Sequence, residues 1–167
     1  MLLKKYFLEQ LEREAVASRK VVERVPEGQN TWKPHERSME LGYLTALVAT
    51  MPGWPAQMID RDELDLDDPT GSFRTKPIAS RAELLRALDE GMENSRRALE
   101  STTEAHLMDC WRLKAGEQVL VEGPRYKMIA DGALAHLAHH RGQLTVYLRL
   151  NETKGPAIYG PSADEYH

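Results

Sequence analysis

The sequence predicts an all-α fold: a four-helix bundle with long crossover connections and a short β-hairpin before the last helix. Three observations carry this. Apolar residues recur at helical spacing in four long segments. The stretch CWRLKAGEQVLVEG alternates in the manner of a strand pair. Two of the three links between helices are long enough to cross the ends of a bundle. The chain has 167 residues, enough for one domain with a sizeable core, and we take residues 1–167 as that single domain.

The first helix is expected from about Leu2 to about Val25. Leu3, Phe7, Leu11, Ala15 and Val22 line one side, with the small polar Ser18 in the gap, and Pro26 and Gly28 stop it. A loop with two prolines and Trp32 follows, and Trp32 reads as an anchor on the bundle. The second helix begins near Ser38, with Leu41, Leu44, Leu47, Val48 and Met51 as its stripe. Pro52 should kink it or start a new turn. The acidic stretch DRDELDLDDPTGSFRTKP reads as a solvated loop, because it lacks the spacing and terminal Glu of a calcium loop. The third helix opens with a capping box, Ser80 to Glu83, and runs to about Leu99. Trp111 and Leu113, then Val119 and Val121, suggest the short hairpin, with Ala115-Gly116 in the middle. The fourth helix starts after Pro124 and ends near Leu150.

Composition excludes several function classes. The formal charge is −4 and basic residues are scattered, which argues against a nucleic-acid partner. No apolar run is long enough for a membrane span, and the N-terminus does not read as a signal peptide. The one cysteine, Cys110, permits no internal disulfide, which fits a reducing, cytoplasmic setting, and it reads as a small buried hydrophobe.

The chemistry concentrates in GALAHLAHHRGQLTVYLRLN, which holds three of the six histidines. At about 100° per residue with His136 at zero, His140 falls at about 40°, with Ile129, Ala133, Leu144 and Tyr147 between about 20° and 80°. The wheel therefore puts His136 and His140 on the core-facing side, His139 on the flank at about −60°, and Arg141 pointing away at about 140°. Arg141 reads as a surface or interface ion pair, and Gly142 as a site of close helix approach. Two imidazoles one turn apart can share one metal ion, and neutral imidazole suits zinc, nickel, copper or iron. A structural hydrogen-bond network, with Gln143 as a partner, is the competing reading. The pair lacks the Glu of H-E-x-x-H, so a zinc-protease reading fails. Asp131 lies on the opposite side and is no acid–base partner.

HLAHHRGQLTVYLRL resembles the last-helix signature of the DinB-like (damage-inducible, YfiT-like) proteins. VPEGQNTWKPHERSMELGYL resembles their first loop and second-helix start, MPGW the end of that helix region, and AIYGPSADE their C-terminal tail. The resemblance spans nearly the whole chain in order. It implies a four-helix bundle, a homodimer, and one divalent metal, zinc or nickel, on three histidines. Two of the three match His136 and His140. The third would lie seven residues before Trp54, where this chain has Leu47. Leucine cannot coordinate a metal. Tyr43 and Met51 share its face but are poor zinc ligands, Glu40 lies roughly 10 Å further along the axis, and His35 and His106 lie in or near loops.

Related members use bacillithiol or mycothiol, and one branch is a mycothiol-dependent isomerase. The resemblance thus implies metal-assisted transfer to a low-molecular-weight thiol, or hydrolase-like chemistry, through His136 and His140. The alternative is a non-enzymatic stress-response or small-molecule-binding dimer with a degenerate metal site. Catalytic residues are not assigned by either reading.

Overall fold

The computed structural model describes residues 2–71 and 74–166. Helix α1 (Leu3–Val22) buries Phe7, Leu11, Ala15 and Val22 of the expected stripe, with Ser18 in its gap, leaves Leu3 only half-buried, and also buries Glu14 and Val21. After Gly28 the loop folds over the start of α2 (Leu41–Thr50). Its backbone carbonyls at Asn30 and Trp32 each accept an α2 amide N–H at 2.8 Å. Gly42 is required there, since a Cβ would sit 2.9 Å from the Asn30 Cβ. Trp32 packs edge-on to Tyr147 at 5.4 Å, the anchor the sequence predicts.

Pro52 falls in a 3-10 turn, Met51–Gly53, that leads into the short helix α3 (Trp54–Asp60). Prolines 52 and 55 have no N–H to donate, and Ser95 repairs part of the broken ladder. Its hydroxyl donates to the Pro52 carbonyl at 2.6 Å and accepts from the Ala56 amide at 3.1 Å. Ser95 sits in α4 (Arg81–Ser101), which opens on the Ser80–Glu83 capping box as expected. α4 packs against α1, α2 and α3, and the C-terminal helix packs against α1 and α2.

The small β element is larger than a hairpin, so the fold is mostly helical and not all-α. β1 (Glu63–Asp65) pairs in parallel with β2 (Cys110–Ala115), and β2 pairs antiparallel with β3 (Gln118–Pro124). β1 lies in the acidic stretch read as a loop. Its carboxylates serve the sheet: Lys114 reaches Glu63 at 2.6 Å and Asp65 at 3.9 Å, and Asp65 accepts the Gly116 amide at 2.9 Å. Gly116 has φ +56, the left-handed turn that glycine allows at no cost. Cys110 is exposed, not the buried hydrophobe expected, because it opens β2 at the sheet margin.

A five-residue helix α5 (Glu104–Met108) precedes the sheet. The last helical run has three parts: α6 (Arg125–Lys127), a π-helical stretch over Met128–Ala135, and α7 (His136–Leu150). Arg125 is fully buried and locks the start of this run. Its guanidinium donates to the carbonyls of Met58 (2.6 Å), His106 (3.1 Å) and Arg61 (3.2 Å), and to the Asp62 carboxylate (2.6 Å). It thus adds a donor to carbonyls at the end of α3 and in α5, where the helical ladder runs out. No helix among the described residues is long and apolar enough to cross a membrane.

Candidate functional site

α7 continues directly from the π-helical stretch, whose Ile129 and Ala133 are buried as well. The buried face of α7 is Leu137, His140, Arg141, Leu144, Tyr147 and Leu148. On a wheel anchored on His136 that face spans about 20° to 140°, so its centre lies roughly 40° beyond the expected one. His140 is buried as expected, but His136 is exposed on the rim, and His139 is exposed as well.

The three rings still cluster. His136 and His140 have centroids 4.5 Å apart, His139 and His140 5.1 Å, and His136 and His139 6.5 Å. Trp54 stands edge-on to His136 at 5.7 Å, so the end of the second-helix region borders the cluster. The Nδ1 of His140 lies 2.8 Å from the Gln143 side-chain oxygen, the partner the sequence suggested. This bond places the proton on Nδ1 and leaves Nε2 as the available lone pair. Burial lowers the His140 pKa; the Gln143 hydrogen bond opposes this, and the neighbouring imidazoles His136 and His139 add to the lowering. The ring is therefore biased toward its neutral form.

A third ligand is what the residues do not supply. Leu47 is 6% exposed and belongs to the apolar cluster that includes Leu44, Leu137 and Leu144. Tyr43 and Glu40 are exposed. His35 accepts the Arg37 amide in its own loop, and His106 pairs with the Ile59 carbonyl at 3.0 Å. Among the described residues no group of three His, Cys, Asp or Glu side chains is placed to hold an ion. The donor set among the described residues does not fit a three-ligand divalent centre.

Arg141 makes the ion pair expected of it, but in the interior instead of at the surface. It is 1% exposed and reaches α1: Nη2 donates to Glu14 Oε2 at 2.6 Å, and Nη1 donates to the Glu14 carbonyl at 3.1 Å and to Ser18 Oγ at 3.3 Å. Tyr159, from the C-terminal tail, donates to the same Glu14 oxygen at 2.5 Å and also meets Arg141. Burial pushes the Glu14 carboxyl up, but hydrogen bonds from Tyr159 and Arg141 outweigh it and hold the group below the usual glutamate range. The Tyr159 phenol is raised by burial and by its bond to Glu14. The tail is latched further on. Asp164 pairs with Arg149 and accepts the Gly155 amide (2.7 Å), while Glu165 pairs with Arg24 and accepts the Ala157 amide (2.9 Å). Gly142 is not a close-approach site, since nothing lies within 4 Å of where its Cβ would be.

The whole arrangement is similar to two solved structures. One is a DinB-like protein, YjoA, from Bacillus subtilis, with a TM-score of 0.64 and 20% identity over 91% of this chain and 95% of that one. The other is a DinB-like protein from Bacillus cereus, with a TM-score of 0.69 and 16% identity over 92% and 95%. No family model and no curated protein matches the sequence. The chain has the DinB-like fold.

Proposed function

We propose that this chain is a DinB-like four-helix-bundle protein that binds a small molecule and carries the remnant of a three-histidine metal centre. The observation that supports this reading is Leu47, buried among leucines where the resemblance calls for the third histidine. Two neutral imidazoles hold a divalent ion less tightly than the three protein ligands of catalytic zinc sites. His136 and His140 then form at most a labile zinc or nickel site, with water completing the shell. In this reading the chain is a homodimer, as the resemblance implies, and does not use a low-molecular-weight thiol.

A second reading, metal-assisted thiol transfer at His136 and His140, draws on the 4.5 Å ring spacing and the free Nε2 of His140. Metal analysis of protein purified without chelator separates the two. Less than about a tenth of an equivalent of any transition metal is expected. No thiol-dependent turnover of chlorodinitrobenzene above background is expected either. A stoichiometric metal together with thiol-dependent turnover would overturn the proposal in favour of the transferase.

A further inference from the structure

The last helical run borders a recess on the side away from the histidines. A cavity of about 220 Å³ opens between α1, the end of the π-helical stretch and the C-terminal tail. Its apolar wall is Phe7 with Leu134, Ala135 and Ala138. Ala138 lies about 200° round α7 from His136, so this wall faces away from the histidine pair. Small side chains at Ala135 and Ala138 keep this space open, at the point where the wide π turn returns to α geometry. π-helical turns recur at functional sites.

The polar wall is Gln10, Arg13, Glu14 and Tyr159. Arg141 is locked to Glu14 behind it. Two guanidinium groups and one carboxylate leave one net positive charge, since Glu14 is held in its ionised form. Arg13 is the accessible cation, with its side chain 59% exposed. It engages Glu14 Oε1 through Nε (3.2 Å) and Nη2 (3.0 Å), and Nη2 also meets Gln10. Its Nη1 has no hydrogen-bond partner among the described residues. The Arg13 head also lies 5.8 Å from the centre of the Tyr159 ring.

We infer that this cavity is a binding site for a small monocarboxylate with an apolar or aromatic body. This rests on the small-molecule reading above and gives it a location. The volume falls below the roughly 300–1,000 Å³ of drug-sized sites, so the ligand has about ten non-hydrogen atoms. The free Nη1 of Arg13 donates to the carboxylate in a charge-assisted hydrogen bond, offsetting the net charge. Phe7, Leu134 and the alanines receive the body. Tyr159 closes the outer side, held there by Glu14 and by the latched tail.

The test is an amide-shift titration of the full ¹⁵N-labelled chain with sodium benzoate, and in parallel with benzamide and benzylammonium. Benzoate is expected to shift amides of residues 7–14 and 130–138 saturably, with a Kd in the range of about 0.1–1 mM. Benzamide and benzylammonium are expected to bind at least about tenfold more weakly. Arg13→Gln, at a half-exposed position, should weaken benzoate at least about tenfold without changing the histidine signals. Ala138→Leu, which fills the wall, should remove the response while the unfolding midpoint is kept. Equal binding of benzamide, preferred binding of benzylammonium, or an Arg13→Gln variant with wild-type affinity would overturn the carboxylate assignment. No saturable shift up to about 20 mM benzoate would overturn the site. Metal content does not enter this test, so its failure is distinct from that of the histidine reading.

Discussion

Arg141 of α7 and Glu14 of α1 form an ion pair at 2.6 Å with both side chains almost wholly buried, 2% and 5% exposed. Desolvating two charges is costly, and removing one partner strands the other. Arg141→Met is therefore expected to lower unfolding free energy by about 3–5 kcal/mol, toward the lower figure because Arg13 and Tyr159 remain on Glu14. The double variant Arg141→Met with Glu14→Leu should recover much of the loss. Urea denaturation measures both. A loss under about 1 kcal/mol for Arg141→Met would show that the pair is not closed in solution.

The same pair sets an acid limit. Glu14 titrates below its ordinary value near 4.5 because the bonds from Tyr159 and Arg141 outweigh its burial. The folded chain thus binds fewer protons than the unfolded chain as pH falls past that ordinary value. The contribution of Glu14 is complete above about pH 4.5 and is lost as pH falls through the lower folded value. Asp164 and Glu165 are lowered too, by Arg149 for Asp164 and first by the Ala157 amide for Glu165, so the tail loosens in acid as well. Glu14 is isolated by difference. Wild type and Glu14→Gln, compared by urea unfolding from pH 6 to pH 3, should converge toward the acid end. Parallel curves would remove Glu14 from the linkage.

Most of the helical frame was legible because it rests on local periodicity and on punctuation by Pro26, Pro52, Ser80 and Pro124. One cause of the failures is long-range pairing. β1 has a single apolar residue, Leu64, and is recruited through Lys114, some 50 positions later. For the histidine helix, Leu137 and Leu148 at about 100° and 120° from His136 centre the apolar arc near 80°, which brings Arg141 to its edge and leaves His136 outside. One signal was available for the ion pair. Glu14 stands three residues after Leu11 and seven after Phe7, a carboxylate on the apolar stripe of α1, and a buried carboxylate needs a cation. Arg125 had no such signal, because its partners are mostly backbone carbonyls. The His140–Gln143 contact was legible from spacing on one helix.

Leu47→His tests the placement of the missing ligand. Position 47 is buried in α2, and α2 packs along α7. If the reading of the histidine pair is right, the substitution completes a three-imidazole set with His136 and His140. Zinc occupancy after dialysis against metal-buffered solution should rise from below about 0.1 to near one equivalent. The metal-free variant should be destabilised by roughly 2–3 kcal/mol from the polar ring placed among leucines, and zinc should restore part of that loss. An unchanged occupancy in a folded Leu47→His variant would mean that the geometry of α2 and α7 does not converge on one ion.

Two glycines in helices should respond oppositely to alanine. Gly91 of α4 lies against the turn after α2, and a Cβ there would meet the Gly53 nitrogen at 2.8 Å and its Cα at 3.2 Å. Both contacts are backbone, so no flexible side chain can yield, and the helix must move from the Pro52 turn that Ser95 holds. Gly142 of α7 has open space where its Cβ would be. Gly91→Ala should therefore cost about 1–3 kcal/mol from overpacking despite its better helix propensity. Gly142→Ala should gain about 0.5–1 kcal/mol from propensity alone. Thermal unfolding of the two variants beside wild type reads the difference directly. A stabilising Gly91→Ala would mean that α4 and the Pro52 turn do not touch, and the support Ser95 gives to that turn would fall with it.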